Sequence, residues 1–172
     1  IIRELTKAMP FYSKKIDYVY IPSAMPAQIG GLIEIVDRYD IGEVVIPKYI
    51  STSTVLTILM KNIRKKKIHI EEVEKDDEFN IGELKVVILF PNTDFKYNKT
   101  GLPELGLSLL YMDTGVYLIG NLSKTIQKNL AKDLEIKTKE NLIEFYNSAI
   151  ESKVSTDLIK KIDPKYTFST KE

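Results

Sequence analysis

The sequence predicts a layered α/β protein with mixed sheets. Strand–helix–strand units open the chain, hairpin-like strand pairs fill its middle, and another strand–helix–strand unit closes it. Composition agrees: of 172 residues, 44% are hydrophobic and 28% charged, as in globular proteins rather than disordered segments. A chain of this length can bury a core, and no linker, repeat or low-complexity tract divides it. Residues 1–172 therefore read as a single domain. The chain opens without methionine and inside an apparent helix, so it reads as a piece of something longer.

Each element has a local reason. Ile1, Ile2, Leu5 and Met9 fall at helical spacing, and Pro10 ends that helix. Residues 16–21 alternate and are rich in β-formers, which predicts a strand. Residues 22–28 read as a loop, and Gly30 and Gly31 lead into a helix with Leu32, Ile35, Val36 and Tyr39 on one face. A short buried strand is expected at 43–47, then a helix capped by Ser51 or Ser53 that turns Val55, Leu56, Leu59 and Ile63 inward. Strands follow at 68–73 and across 79–90, the second broken by a turn at Gly82. Residues 105–112 and 116–119 read as a hairpin turning through Asp113, Thr114 and Gly115. A helix from Ser123 to about Leu134, a strand at 142–146, a helix at 156–162 and a strand at 166–169 complete the chain.

Several function classes are excluded by composition. With 25 basic and 24 acidic residues the net charge is +1, so no global field draws the chain to nucleic acid or anionic membrane. There is no cysteine, hence no disulfide and no thiolate zinc site. A single histidine, His69, rules out imidazole clusters within one copy and supports no nucleophilic triad. No apolar run approaches the ~18 residues of a transmembrane helix, and no signal peptide is visible.

The segment from Ile16 to Leu32, ending Ile-Pro-Ser-Ala-Met-Pro-Ala-Gln-Ile-Gly-Gly-Leu, resembles the first metal-binding loop of the metallo-β-lactamase superfamily. There a strand ends in a Thr/Ser-His-x-His-x-Asp-His run, followed by paired glycines and a helix. More narrowly, this loop, Pro10-Phe11-Tyr12 and Tyr39-Asp40-Ile41-Gly42 resemble the soluble domain of ComEC-type competence proteins, which are DNA-uptake membrane channels. The resemblance implies an αββα sandwich, two sheets flanked by helices, here without the family's first strands. Anchored on Ile29-Gly30-Gly31-Leu32, it places Ser23 and Met25 at the first two histidine positions, Ala27 at the aspartate and Gln28 at the third histidine. Leu118 to Leu122 resembles the family's Leu-Thr-Gly-Asp-Leu segment, so Asn121 stands for a metal-bridging aspartate. The His-His-Gly-Ser loop would fall near Asn147, Ser148 and Ala149, again without histidine.

The superfamily's hydrolysis needs divalent ions that turn water into hydroxide and polarise the scissile group. Such ions want imidazole and carboxylate donors with one position left open. Ser23, Met25, Ala27 and Gln28 offer a hydroxyl, a thioether, a methyl and an amide instead. No metal or other cofactor is expected, and no small-molecule substrate is identified. Ser23 and Gln28 can satisfy each other or nearby backbone, and Met25 reads as a loop side chain packing into a dry pocket.

Other features have plain readings. Gly30 and Gly31 read as a turn needing backbone freedom, with an anion at the helix N-terminus as the functional alternative. His69 reads as an ordinary strand residue with a polar partner. The run Lys61, Arg64, Lys65, Lys66 and Lys67 suits a solvated helix C-terminus, where cations meet the negative dipole end; the alternative is sequence-independent phosphate contact with DNA. Taken together, the resemblance implies a catalytically inactive domain of a ComEC-like DNA-uptake membrane protein, serving as scaffold or weak DNA contact beside the membrane-embedded part of its parent. The rivals are an active metal-dependent hydrolase or nuclease with non-standard ligands and a protein-interaction module.

Overall fold

The computed structural model describes residues 2–48, 52–92, 104–146 and 154–170. These divide into two compact units, the first running to Val73 and the second from Glu74 onward. Ser51 and the segment Asn147, Ser148 and Ala149 lie outside the described residues.

The first unit contains α1 (Ile2–Ala8), β1 (Lys15–Tyr20), α2 (Pro26–Ile29), α3 (Leu32–Arg38), β2 (Asp40–Pro47), α4 (Thr54–Lys65) and β3 (His69–Val73). Its strands form a parallel sheet in the order β1-β2-β3. Parallel neighbours cannot be joined by a tight turn, so the intervening helices make the crossovers. Val19, Ile21, Val44 and Ile46 share a core with Ile35 and Val36 of α3 and Leu56, Leu59 and Ile63 of α4. The α4 set recurs at helical spacing, and Ser53 caps that helix by accepting from Leu56 N–H at 3.1 Å. The ladder register runs Tyr18 to Glu43 to His69 across all three strands, which fixes three polar side chains in one row.

The second unit contains β4 (Glu78–Ile81), β5 (Leu84–Phe90), β6 (Gly106–Tyr111), β7 (Thr114–Gly120), α5 (Lys124–Asp133), β8 (Glu140–Tyr146), α6 (Thr156–Ile162) and β9 (Tyr166–Thr170). The six strands lie in chain order, antiparallel from β4 to β7 and parallel from β7 to β9. Tyr117 and Ile119 of β7 and Ile143 and Phe145 of β8 share a core with Leu130 of α5, the following Leu134, and Leu158 and Ile162 of α6. Gln127, almost wholly buried on α5, ties these layers together. Its amide donates to Leu122 O at 2.6 Å and accepts from Ser155 N–H at 2.8 Å, at the start of α6.

Three local expectations change. The β6–β7 hairpin turns through Met112 and Asp113, not through residues 113–115. A two-residue turn of this hand needs positive φ at its first position, and Met112 supplies it at 49°. Gly115 is instead paired with Leu110 in the ladder, where a Cβ would stand 2.7 Å from Thr138 Oγ1. The predicted loop 22–28 ends in one helical turn, α2, with Pro26 at its first position. Finally, Gly30 and Gly31 have φ of −55° and −69°, ordinary right-handed values, so left-handed freedom is not their purpose. At Gly30 the reason is space: a Cβ would lie 2.9 Å from Pro26 O. Among the described residues no helix is long and apolar enough to cross a membrane.

Candidate functional site: a neutral loop and two polar clusters

The loop after β1 leaves the carboxyl end of a parallel strand, the end at which α/β proteins place their ligands. The ladder continues one residue past the strand, Ile21 N–H donating to Val45 O at 2.9 Å. Ile21, Ser23 and Ala24 are buried, Met25 and Gln28 half-buried, and Ala27 exposed. Ser23 Oγ donates to Gln28 Oε1 and accepts from Met25 N–H at 3.1 Å. Gln28 N–H donates to Met25 O at 3.0 Å, which closes α2. The two polar side chains at the ligand positions are therefore spent on each other and on the loop backbone. A hydroxyl, an amide, a thioether and a methyl make no donor set for zinc or manganese, and the residues of this loop do not fit such an ion.

In the second unit Asn121 is exposed at the end of β7. Gly120, at φ 61°, turns the chain so that Asn121 N–H donates to Glu104 Oε2 at 2.7 Å. Glu104 is 4% exposed, and sequence reasoning did not single it out. Burial raises its carboxyl above the ordinary value of 4.5, hydrogen bonds from Asn121 pull it back, and the charge of Glu144 adds to the rise. A carboxyl raised in this way holds more proton folded than unfolded, so stability falls as pH climbs from its unfolded value through its folded one. Glu104→Gln keeps an acceptor for Asn121 and removes that charge. Its melting temperature is expected to exceed the parent's by a few degrees at neutral pH, with the gain vanishing near pH ~4. A difference independent of pH in thermal melts would contradict this assignment. Ser148 lies outside the described residues.

The predicted basic run is only partly free. Lys61, Arg64 and Lys65 share one exposed face of α4, but Lys66 Nζ donates to Asp37 O of α3 at 2.7 Å. Lys67 adopts φ 57° just after the helix. A second basic surface escaped the sequence reading. Lys128 and Lys132 of α5 and Lys160 and Lys161 of α6 line a groove with Asp157. Lys124, Lys128 and Lys132 recur every four residues, and the first turn of α5 holds no acid. Like charges so spaced cost a helix ~0.2–0.5 kcal/mol per pair, and a lysine at the N-terminus opposes the helix dipole. None of these five lysines has an ion-pair partner among the described residues. The groove could have been found from the four-residue lysine spacing in α5.

His69 opens β3 and is exposed. Its Nε2 stands 3.5 Å from Glu71 Oε2 and 3.9 Å from Glu43 Oε1, so it has the polar partners expected of it, and two rather than one.

No protein-family model and no curated protein sequence matches the chain. Solved structures do. CmlA, a diiron β-hydroxylase from Streptomyces venezuelae, superposes with a TM-score of 0.57 at 14% identity over 95% of this chain, which spans 36% of that protein. YhfI, a metallo-β-lactamase fold protein from Bacillus subtilis, gives 0.56 at 9% identity over 98% of this chain and 69% of its own. A diphosphatase of the PhnP family gives 0.52 at 12% identity over 98% of this chain and 64% of its own. At such identities the likeness concerns the fold. The chain has a mixed α/β fold of the metallo-β-lactamase type, with two sheets and their helices.

Proposed function

We propose that this chain is a catalytically silent metallo-β-lactamase-fold domain of a ComEC-like DNA-uptake membrane protein, acting as a scaffold with weak, non-specific DNA contact. One observation carries the silent reading: the loop that would hold the metal has neutral side chains hydrogen-bonded to each other, Ser23 to Gln28. Hydrolysis of this class needs a metal-bound hydroxide, and nothing in that loop can bind the ion that makes it. The DNA contact is supported by the two basic surfaces, Lys61, Arg64 and Lys65 on α4 and the lysine groove of α5 and α6. The membrane attachment rests only on the resemblance carried by the loop around Gly30 and Gly31, by Pro10-Phe11-Tyr12 and by Tyr39-Asp40-Ile41-Gly42. Its test is the rest of the reading frame, where runs of ~20 apolar residues are expected.

Two measurements test the reading. The purified chain, dialysed and analysed by plasma mass spectrometry, is expected to hold far less than one zinc, manganese or iron per chain. Near-stoichiometric metal that His69→Ala does not remove would overturn the silent assignment. DNA titrations should show binding at ~50 mM salt that is lost by ~200 mM, because phosphate contacts release counterions. Lys61→Glu with Lys65→Glu, or Lys128→Glu with Lys132→Glu, should weaken that binding equally for unrelated sequences. The salt slope should fall by about one for each phosphate no longer neutralised. Lys66 is a poor choice for this test because it holds the end of α3. Absence of binding at ~50 mM salt would remove DNA and leave the scaffold.

A further inference from the structure

We infer that Glu43, His69 and Glu71 form a surface site for a divalent transition-metal ion such as zinc, separate from the neutral loop. The ladder pairs Glu43 of β2 with His69 of β3, and Glu71 lies two residues along β3 on the same face. One ligand atom from each lies within 4.8 Å of the others. Zinc held tetrahedrally at 2.0–2.2 Å by nitrogen and oxygen sets its ligands about 3.4 Å apart. Nε2 already stands 3.5 Å from Glu71 and 3.9 Å from Glu43, so small rotations of exposed side chains close the set. Register rather than side-chain packing brings the three together, and a parallel ladder holds that register firmly.

The electrostatics favour a cation over the empty cluster. Among the described residues His69 is the only basic group that either carboxylate meets. Two carboxylates facing one imidazole leave an excess of negative charge that a dication would neutralise. Tyr20 lies on the same sheet face, two residues beyond the Tyr18 that pairs with Glu43. Its hydroxyl is buried and has no hydrogen-bond partner among the described residues. That donor suits a carboxylate oxygen turned away from a bound ion, the kind of outer partner that orients metal ligands. An imidazole with two carboxylates selects zinc or a neighbouring transition metal over magnesium or calcium, which prefer all-oxygen surroundings. Three ligands leave at least one position to water, and the exposure of His69 keeps the site open to exchange. Such an ion is taken up from solution and lost on dialysis.

His69 is the only histidine of the chain, so its ring signals in nuclear magnetic resonance are unambiguous. The chelator-treated protein, titrated with zinc chloride, should bind one zinc per chain by calorimetry while those signals move in step. Magnesium chloride should leave them in place. His69→Ala should abolish the calorimetric binding. Glu71→Gln should weaken it by about tenfold or more, the scale on which loss of even an outer partner acts. Ser23→Ala should change neither. Because the three side chains reach solvent, these variants should fold, and circular dichroism checks that. Ring signals unmoved at ~1 mM zinc, where a millimolar site would be half filled, would overturn the inference. So would one-to-one binding that survives His69→Ala or is untouched by Glu71→Gln.

Discussion

Gln127→Leu should lower the stability of the chain by about 2–5 kcal/mol, one of the largest single losses available. The glutamine amide is 2% exposed and uses both ends. It donates to Leu122 O before α5 and accepts from Ser155 N–H at the start of α6, at 2.6 and 2.8 Å. Leucine nearly matches its volume, so packing is little disturbed, yet both backbone groups lose their partner out of reach of water. A buried donor or acceptor left alone costs ~1–3 kcal/mol, and here there are two. For a domain of this size each kcal/mol is worth ~2–4 °C, so melting should fall by roughly 4–20 °C. Gln127→Glu separates polarity from shape. At neutral pH its carboxylate can still accept from Ser155 but cannot donate to Leu122, and it buries a charge. As pH falls the carboxyl gains the proton it needs to donate, and part of the loss should return. A leucine variant within ~1 kcal/mol of the parent in urea unfolding would mean that the amide does not bridge these elements.

The same residue shows where sequence reading stops. Ile126, Leu130 and Leu134 recur every four residues and pack into the core from α5 and the residue that follows it. Gln127 also faces inward, but its partners lie 5 and 28 residues away, and no local pattern names them. Elements were legible wherever burial imposes a period. Leu56, Leu59 and Ile63 repeat along α4, and Ser53 announces its start. Turns were less legible. Asp113-Thr114-Gly115 has turn-forming residues, yet the close approach of Thr138 places Gly115 inside β7 and leaves the positive φ to Met112.

The site was legible as chemistry and not as geometry. That Ser23, Met25, Ala27 and Gln28 make no donor set for zinc or manganese follows from their functional groups alone. That Gln28 curls back on α2 to meet Ser23 depends on the turn begun by Pro26, which the sequence left as loop. Glu104 precedes β6 with nothing in its neighbourhood to mark it as buried; it is the left-handed Gly120, 16 residues later, that presents Asn121 N–H to it. His69 and Glu71 alternate visibly in the sequence, but Glu43 joins them only through strand register. Register is set by the packing of whole crossovers, which no short motif encodes.

Restoring the loop should reverse its character. Ser23→His, Met25→His, Ala27→Asp and Gln28→His together, made in a His69→Ala background so that zinc effects belong to the loop, should destabilise the metal-free chain by about 3–5 kcal/mol. Ser23 is wholly buried, so an imidazole there overfills its space, which typically costs ~1–3 kcal/mol. Losing the Ser23–Gln28 hydrogen bond removes about 1 kcal/mol more. Three imidazoles and a carboxylate then crowd one turn, with some polar atoms left short of partners. Melting should fall by roughly 6–20 °C. Zinc should then bind the folded loop and not the unfolded chain, and at a hundred times its dissociation constant it would return ~2.7 kcal/mol. The parent loop has no such dependence, so chelator should move the parent's midpoint by no more than about a degree, well under the ~2–4 °C of a single kcal/mol. A restored loop that melts like the parent, or ignores zinc, would show that these four positions are not where metal ligands belong. A His69→Ala chain that loses several degrees to chelator would show that an ion held elsewhere than at His69 stabilises it, and the silent reading would fall with that result.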